Sequence, residues 1–415
     1  MEGFRSVAAR QYFLITGNYW AFTLTDGALR MLVVLHFHQL GYTPLQVALL
    51  FLFYEIFGVV TNLVGGWLGA RIGLNRTMNL GLVLQVIALG MLTLPAAALT
   101  VPWVMAAQAL SGIAKDLNKM SAKSSIKLLV AGDQPGALYR WIAALTGSKN
   151  ALKGIGFFLG GALLSTLGFR VAVASMAVGL LLVWLASLLL LQRDLGKAKN
   201  KPKFRDLFSK SRAVNVLSAA RLFLFGARDV WFVVALPVFL ATVLQWSDWA
   251  VGAFLASWVI GYGIVQSLAP YFTGRRSGGS PGGGSAFGWA VALAAIPAMM
   301  ALLLGSNADP THVLVVGLAV FGILFAVNSS LHSYLIVSYA SEDGVSLDVG
   351  FYYMANALGR LFGTVLSGAV FQASGLTACL WISAGFVAAS ALISLALPKH
   401  HATITAAPAA SDVDG

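Results

Sequence analysis

The chain has 415 residues, 58% of them hydrophobic and only 10% charged, with a formal net charge of +12 and a mean hydropathy of +0.81. Soluble domains carry about 25% charged residues, so a soluble globular protein is excluded and most of the chain belongs in a bilayer. A single cysteine, Cys379, excludes a disulfide framework and a cysteine metal site, and the six histidines form no ligand-spaced cluster, so neither metal nor cofactor is expected.

The N-terminus, MEGFRSVAAR, leads into an apolar segment too long for a signal peptide's h-region and without a small-residue cleavage site, which reads as an uncleaved first helix. A spanning helix needs about 20 apolar residues. In chain order, the Gly, Pro and charge breaks give spans near 13–39, 45–70, 77–98, 101–122, 138–166, 170–192, 214–243, 248–272, 286–305, 310–338, 347–374 and 376–397. The expected fold class is therefore an all-α membrane protein of twelve transmembrane helices. The longest connection, RDLGKAKNKPKFRDLFSKSR, divides it into an N-terminal six-helix half (1–192), a basic linker (193–213) and a C-terminal half (214–397). The segment 398–415, with APAASDVDG, reads as a disordered tail. RRSGGSPGGGS, Arg275 to Ser285, is a flexible linker: it follows no strand and lacks the G-K-[ST] ending of a phosphate loop.

Basic residues set the orientation. With the N-terminus in the cytoplasm, the inner loops hold Arg5, Arg10, Arg71, Arg76, Lys127, Arg140, the linker, Arg275, Arg276 and Lys399, and the outer loops hold Arg170, so both termini and the tail are placed inside. The positive charge is in part this topology signal, which argues against nucleic-acid binding. The halves are pseudo-symmetric: SGIAKDLN in span four and FGILFAVN in span ten share Gly-Ile and, five residues on, Asn118 or Asn328, and MLVVL in span one can be laid on FVVAL in span seven.

A charge near the bilayer centre costs on the order of 2.5–3.5 kcal/mol, so such residues face a cavity or a partner. Spans three, six, nine and twelve have none; the charges are Asp26 and Arg30, Glu55, Lys115, Asp116 and Lys119, Lys149 and Lys153, Arg221, Arg228 and Asp229, and Arg360, with Asn328, Ser329, Ser330 and His332 in span ten. Counted from Leu138, Lys149 and Lys153 lie roughly 16 and 22 Å into the membrane, too deep to be interfacial anchors. With Lys123 included, nine basic residues face four acids. Internal pairing cannot neutralise them, and a substrate with several negative charges explains the surplus. Arginine supplies a planar fork and lysine a point charge for phosphate-like oxyanions.

Several of these residues admit a plainer role. Asp26 and Arg30, at i and i+4, are either a self-satisfying pair or part of substrate or proton handling. Arg228 and Asp229 are about 100° apart on a helix and should point different ways. Lys115, Asp116 and above all Lys123 fit a solvated helix end. Glu55 is a proton-coupling site or a buried neutral acid, His332 with Asn328 a polar helix contact or a ligand site, and His36 and His38 interfacial residues.

The charge-free third helix of each unit resembles the major facilitator superfamily over the whole chain. GWLGARIGLNR, Gly66 to Arg76, is similar to its G-x-L-x-D-R-x-G-R-R/K loop: Gly66, Leu68, Arg71 and Gly73 match, whereas Ala70 stands where the acidic residue belongs and Leu74 replaces a base. The gate-latching ion pair made by that acid is therefore not expected here. GFFLGG, Gly156 to Gly161, resembles the antiporter G-P-x-x-G-G with Phe157 for Pro, or is simply a small-residue helix crossing.

LTDGALRMLVVLHFHQLGYTPLQ, FLFYEIFGVVTNLVGGWLGARIGLNRT, QALSGIAKDLNKMSAKSSIKLL, LTGSKNALKGIGFFLGGALL and FYYMANALGRLFGTVLSG resemble the ArsJ family of organoarsenical efflux permeases. That resemblance implies export of 1-arseno-3-phosphoglycerate, made by glyceraldehyde-3-phosphate dehydrogenase from arsenate, across a bacterial inner membrane by a non-enzymatic monomer. The substrate-binding set is read as Arg30, Asn118, Lys119, Lys149, Lys153, Arg221, Arg228, Asn328 and Arg360, with Asp26, Glu55 and Asp229 as proton-coupling candidates. The charge pattern alone equally admits a sugar-phosphate or other organic-anion antiporter.

Overall fold

The computed structural model describes residues 2–41, 50–130, 135–192, 195–198, 202–203, 207, 211–273, 281–306 and 308–398. They are helical almost throughout: α1 (Glu2–Gln39), α2 (Leu52–Ile72), α3 (Leu74–Met91), α4 (Val101–Leu129), α5 (Pro135–Leu190), α6 (Arg212–Phe232), α7 (Ala235–Thr242), α8 (Asp248–Thr273), α9 (Gly283–Leu304), α10 (Pro310–Tyr339) and α11 (Val345–Ser394). In lipid an unpaired backbone amide or carbonyl is costly, so a chain this apolar satisfies its backbone within helices.

Among the described residues seven helical stretches are long and apolar enough to cross a membrane. That falls short of twelve for two reasons. Two of the stretches, of 55 and 50 residues, each turn at a glycine, Gly168 (φ 72°) and Gly375 (φ 74°), and at 1.5 Å per residue each is long enough for two spans. Meanwhile α1 and α4 carry Asp26, Arg30, Lys115, Asp116, Lys119, Lys123 and Lys127, and α3 carries Arg76. These polar residues keep all three helices out of the apolar count.

Boundaries differ from expectation where side chains override hydropathy. Span three ends at Met91 and Ala96–Ala98 forms a separate 3-10 turn, while α4 runs seven residues beyond Ala122 to Leu129. Span seven breaks between α6 and α7, and Ser367 Oγ of α11 accepts the amides of Val234 and Ala235 at 3.3 and 3.1 Å. Gly283, Gly284 and Ser285, expected in a flexible linker, form the first turn of α9, with the Gly283 amide donating to Pro398 O at 2.9 Å. Asp309 caps α10, accepting from the amides of Thr311 and His312, and Pro310 follows. Residues 42–49, 274–280 and 399–415, with parts of the linker, lie outside the described residues.

Small residues set the tightest crossings. A Cβ at Gly27 of α1 would come within 2.8 Å of Lys153 O and 3.3 Å of Gly156 Cα. The GFFLGG stretch thus acts as a small-residue seam, locking α1 to α5 and placing Asp26 beside Lys153. Charge-free helices carry exposed apolar faces, for example Val178, Leu182 and Leu189 after the Gly168 bend and Val291, Met299 and Leu302 on α9. By contrast 61% of the apolar window of α10 is buried against 28% for α9, so α10 is central and α9 peripheral.

One buried cluster is built mainly from α1 to α5 and includes Tyr19, Phe22, Leu29, Met78, Leu82 and Ile142; a second, from α6 to α11, includes Leu224, Trp231, Leu293, Phe321, Phe325 and Val387. The groups are joined most closely at the end where α4 stops and α5 begins. There Ser346 Oγ donates to Gly66 O at 2.7 Å, Tyr139 and Thr273 hydroxyls are 2.9 Å apart, and Lys127 Nζ reaches the carbonyls of Ser338 and Ala340 at the end of α10.

Replacing Gly156 by leucine forces α1 from α5. Overpacking of this kind costs about 1–3 kcal/mol, so Gly156→Leu should lower the melting temperature of the purified protein while Gly161→Leu, where a Cβ meets only Leu35 at 3.9 Å, should not. Equal melting temperatures would contradict the seam.

Candidate functional site

The intramembrane charges form two groups between the helix bundles. The first is a ladder. Arg30 Nη2 of α1 pairs with Glu55 Oε1 of α2 at 3.1 Å, and Glu55 lies within electrostatic reach of Arg360 of α11. Arg360 Nε donates to Asp229 Oδ2 at 3.0 Å, and Arg228 donates to Asp229 Oδ1 through Nε at 2.6 Å. Asp26 is held separately, accepting from the Tyr54 hydroxyl at 2.8 Å, while the Arg30 guanidinium lies 5.0 and 5.2 Å from the rings of Phe51 and Tyr54. Arg30, Glu55 and Arg360 keep 29%, 35% and 33% of their side-chain surface exposed, so the space between the bundles opens away from the Gly66–Ser346 end.

Three expectations are corrected here. Asp26 and Arg30 do not satisfy each other: both turn to α2, to Tyr54 and Glu55. Arg228 and Asp229 do pair although adjacent, because the long arginine side chain bends back to a carboxylate that is fully buried. Glu55, read as a proton-coupling site or a buried neutral acid, is a partly exposed acid paired with Arg30, 35% of its side chain being accessible.

The second group surrounds Tyr353 of α11. Lys119 Nζ binds Asp116 Oδ1 at 2.6 Å, with Lys115 Nζ 3.9 Å from the other oxygen and 3.8 Å from the Tyr54 ring centroid. The ammonium groups of Lys119 and Lys123 each lie 4.7 Å from the Tyr353 ring centroid, and Lys123 donates to the Tyr353 hydroxyl. Lys123 is only 3% exposed, which overturns its placement at a solvated helix end; α4 extends past it and α11 covers it. Arg221, also 3% exposed, donates through Nε to Asn356 Oδ1 at 2.8 Å and stacks 3.7 Å from the Phe225 ring. Lys149 lies within electrostatic reach of Lys119, Lys123 and Arg360, and Lys153 of Arg30, Lys149 and Arg360.

A polar chain crosses between the bundles beneath these cations. Lys149 Nζ approaches Asn150 Oδ1 at 3.4 Å, Asn150 Nδ2 donates to Gln266 Oε1 at 2.5 Å, Gln266 Nε2 donates to Ser329 Oγ at 3.0 Å, and Arg221 Nη1 lies 3.4 Å from the same oxygen.

Asn118 and Asn328 stand apart from both groups. Each is fully buried and donates back to the carbonyl four residues earlier, Ala114 at 3.2 Å and Leu324 at 2.9 Å. Asn118 packs on Gly81 of α3, and Asn328 also donates to Trp289 O of α9 at 2.9 Å. The pair marks equivalent packing positions rather than the charged space. Gly66 lies inside α2, packed against Ser346 and Gly350 of α11, and Gly73, with φ 103°, shapes the α2–α3 turn, while Arg71 is exposed with its guanidinium 5.0 Å from the Trp67 ring, and Arg76 is exposed. At the missing acid, the Ala70 carbonyl accepts the linker amide of Ala198 at 2.8 Å. His36 stacks on Phe169 with ring centroids 4.1 Å apart; the His38 side chain lies outside the described residues. His332 is fully buried beside Arg221 with both ring nitrogens unpartnered among the described residues.

Tyr54, Lys123, Gln266, Tyr353 and Asn356 were not in the expected binding set. The spacing Tyr353, Asn356, Arg360 does hold a signal, since i, i+3 and i+7 share one helical face. Tyr54 and Gln266 offered none.

A helical bundle whose one charged interior lies between two packed groups is the form of a solute carrier. Residues 13–346 match the family model of the Major Facilitator Superfamily, and the chain belongs to that family of multi-pass membrane transporters. No curated protein matches the sequence. The chain is similar in fold to the human organic anion transporter MFSD10 (17% identity, 93% of this chain and 99% of that one, TM-score 0.73). It is also similar to a bacterial homologue of the iron transporter ferroportin in an outward-facing state (14%, 92% and 98%, 0.75) and to the E. coli fucose:proton symporter FucP (12%, 93% and 98%, 0.69).

Asp229 is fully buried and holds two arginines that are 15% and 33% exposed. Removing one partner of such a buried set costs about 3–5 kcal/mol. Asp229→Asn should therefore lower the melting temperature of the detergent-solubilised protein sharply, and adding Arg360→Gln should recover part of the loss. A variant that melts with wild type would contradict the ladder.

Proposed function

We propose that the protein is an efflux permease that carries a multivalent organic anion out of a bacterial cytoplasm across the inner membrane, the substrate being 1-arseno-3-phosphoglycerate and the outcome arsenate resistance. The observation that carries this reading is the convergence of nine basic side chains on four acids between the two bundles, as a substrate with a phosphate at one end and an arsenate ester at the other requires. Glyceraldehyde-3-phosphate dehydrogenase would supply that substrate, and no nucleic acid or cofactor takes part.

The transport cycle is alternating access about a midplane site. The N-terminal half (1–192) and the C-terminal half (214–397), joined by the 193–213 linker, rock about the charged space, with both termini in the cytoplasm. On this reading the Gly66–Ser346, Tyr139–Thr273 and Lys127–Ala340 contacts close the cytoplasmic side. The partly exposed Arg30, Glu55 and Arg360 face the outside. Substrate bridges lysines of α4 and α5 to arginines of α6 and α11, which makes binding favour the movement of one half on the other. Proton coupling draws on Asp26, Glu55 or Asp229. Asp26 is best placed, being held by a phenol, whereas the other two are held by guanidinium groups.

The same charge pattern suits sugar phosphates and other phosphorylated organic acids, so competition by phosphate esters without arsenic separates the two readings. The deciding experiment is arsenate tolerance of an arsenic-sensitive bacterial host expressing the chain with and without glyceraldehyde-3-phosphate dehydrogenase. Tolerance should need both proteins and disappear in a membrane-inserted Lys149→Gln variant. No tolerance with well-inserted protein and a matched dehydrogenase would refute arsenical export. Vesicle transport indifferent to a pH gradient would refute proton coupling.

A further inference from the structure

The positive surplus is not spread evenly over the charged space. In the ladder each arginine has a carboxylate: Arg30 has Glu55, and Arg228 and Arg360 share Asp229. Around Tyr353 the one acid among the described residues, Asp116, is already occupied by Lys119 and Lys115. Lys123 and Arg221 are both nine-tenths or more buried, and among the described residues neither bonds a carboxylate. Among the described residues the charged groups placed within reach of Lys123 are Arg221, Lys119 and Lys149, all of its own sign. Lys149 approaches the same group from α5, hydrogen-bonded to the neutral amide of Asn150 and with Asp26 as the carboxylate within electrostatic reach.

Burying two cations without a counter-ion costs several kcal/mol each, and an anion bridging Lys123 and Arg221 would offset that cost. We propose that Lys123, Lys149 and Arg221 form a subsite for a tetrahedral, phosphate-type oxyanion, taken up as a phosphate monoester dianion. This assignment rests on the organic-anion reading above and locates its phosphate end. The chemistry fits: a guanidinium offers a planar pair of donors, and two ammonium groups offer point charges that follow any rotation of the oxyanion. The Lys149–Asn150–Gln266–Ser329–Arg221 chain fixes the distance between the α5 and α6 contributions. Lys119, 15% exposed, lies one helical turn from Lys123 on α4 and is occupied by Asp116.

The subsite also bears on the closed end of the molecule. Lys123 reaches across the bundles to the Tyr353 hydroxyl. An oxyanion competing for that ammonium loosens one of the contacts that hold α4 to α11, so occupancy and closure are linked through a single side chain.

The test is equilibrium binding of inorganic phosphate and of 3-phosphoglycerate to the full chain in phosphatidylcholine nanodiscs. Lys123→Met, Arg221→Gln and Lys149→Gln are compared with wild type and with Arg170→Gln, an exposed change far from the site. Wild type and Arg170→Gln should bind both probes, and each of the three variants should lose about tenfold or more, the size of one missing charge-assisted contact. Lys123→Arg keeps the charge and should bind within about threefold of wild type, the comparison to use if Lys123→Met does not fold. Folded Lys123→Met and Arg221→Gln that bind as wild type would overturn the subsite, as would folded wild type that binds neither probe. The outcome separates cleanly from the exporter reading. Phosphate binding through these residues without arsenate tolerance leaves the subsite standing and removes arsenical export. Dehydrogenase-dependent tolerance that survives Lys123→Met and Arg221→Gln does the reverse.

Discussion

Unmatched positive charge inside an apolar bundle is the constraint on which the rest of the structure depends. Nine basic side chains in a bilayer would be prohibitive if each met lipid. The fold answers by turning charge-free helices outward, with Val178, Leu182, Met299 and Leu302 exposed, and by gathering the charged helices around one interior space. Aromatic rings share the load: Arg30 lies over Phe51 and Tyr54, Arg221 over Phe225, and Lys119 and Lys123 over Tyr353. Such contacts are worth about 0.5–2 kcal/mol each, enough to lower the cost of holding a cation in place but not to neutralise it.

The two charge groups have different consequences for a transport cycle. The Arg30–Glu55–Arg360–Asp229–Arg228 ladder is close to balanced and joins the two bundles where solvent reaches, so it suits a contact that forms and breaks as the outer side closes. The Tyr353 group is deeper and unbalanced. It suits a ligand. Between them Lys153 and Lys149 lie one turn apart on α5, at a place fixed by the Gly27–Gly156 crossing. A mutation in that crossing therefore acts on the site without touching it.

Much of this was legible in the sequence because hydropathy and intramembrane charge are strong signals. The absence of charge in every third span matches the exposed apolar faces of α9 and of the segment after Gly168, whereas α3 and the segment after Gly375 bury one face, along Met78, Leu82 and Gln85 and along Cys379, Leu380 and Val387; Asn118 and Asn328 occupy similar packing positions. What could not be read were contacts set by side-chain reach between distant helices. Sequence adjacency suggested that Arg228 and Asp229 diverge, yet arginine is long enough to return. Spacing suggested an Asp26–Arg30 pair, yet Tyr54 and Glu55 on α2 offered each a better partner. Lys123 looked like a helix end because α4 was expected to stop near Ala122, and only the burial by Tyr353 of the other bundle makes it an interior cation. The loop motif behaved similarly: Ala70 removes a carboxylate, and the backbone at Gly66 and Ala70 takes over bonds to Ser346 and to the linker.

The claim that surplus positive charge between the bundles selects multivalent anions is tested most directly by counterflow in proteoliposomes. Vesicles loaded with 3-phosphoglycerate should take up labelled 3-phosphoglycerate saturably, with competition by other doubly charged phosphate esters and none by glycerol. Uptake inhibited equally by glycerol and by phosphate esters, or unaffected by either, would contradict it.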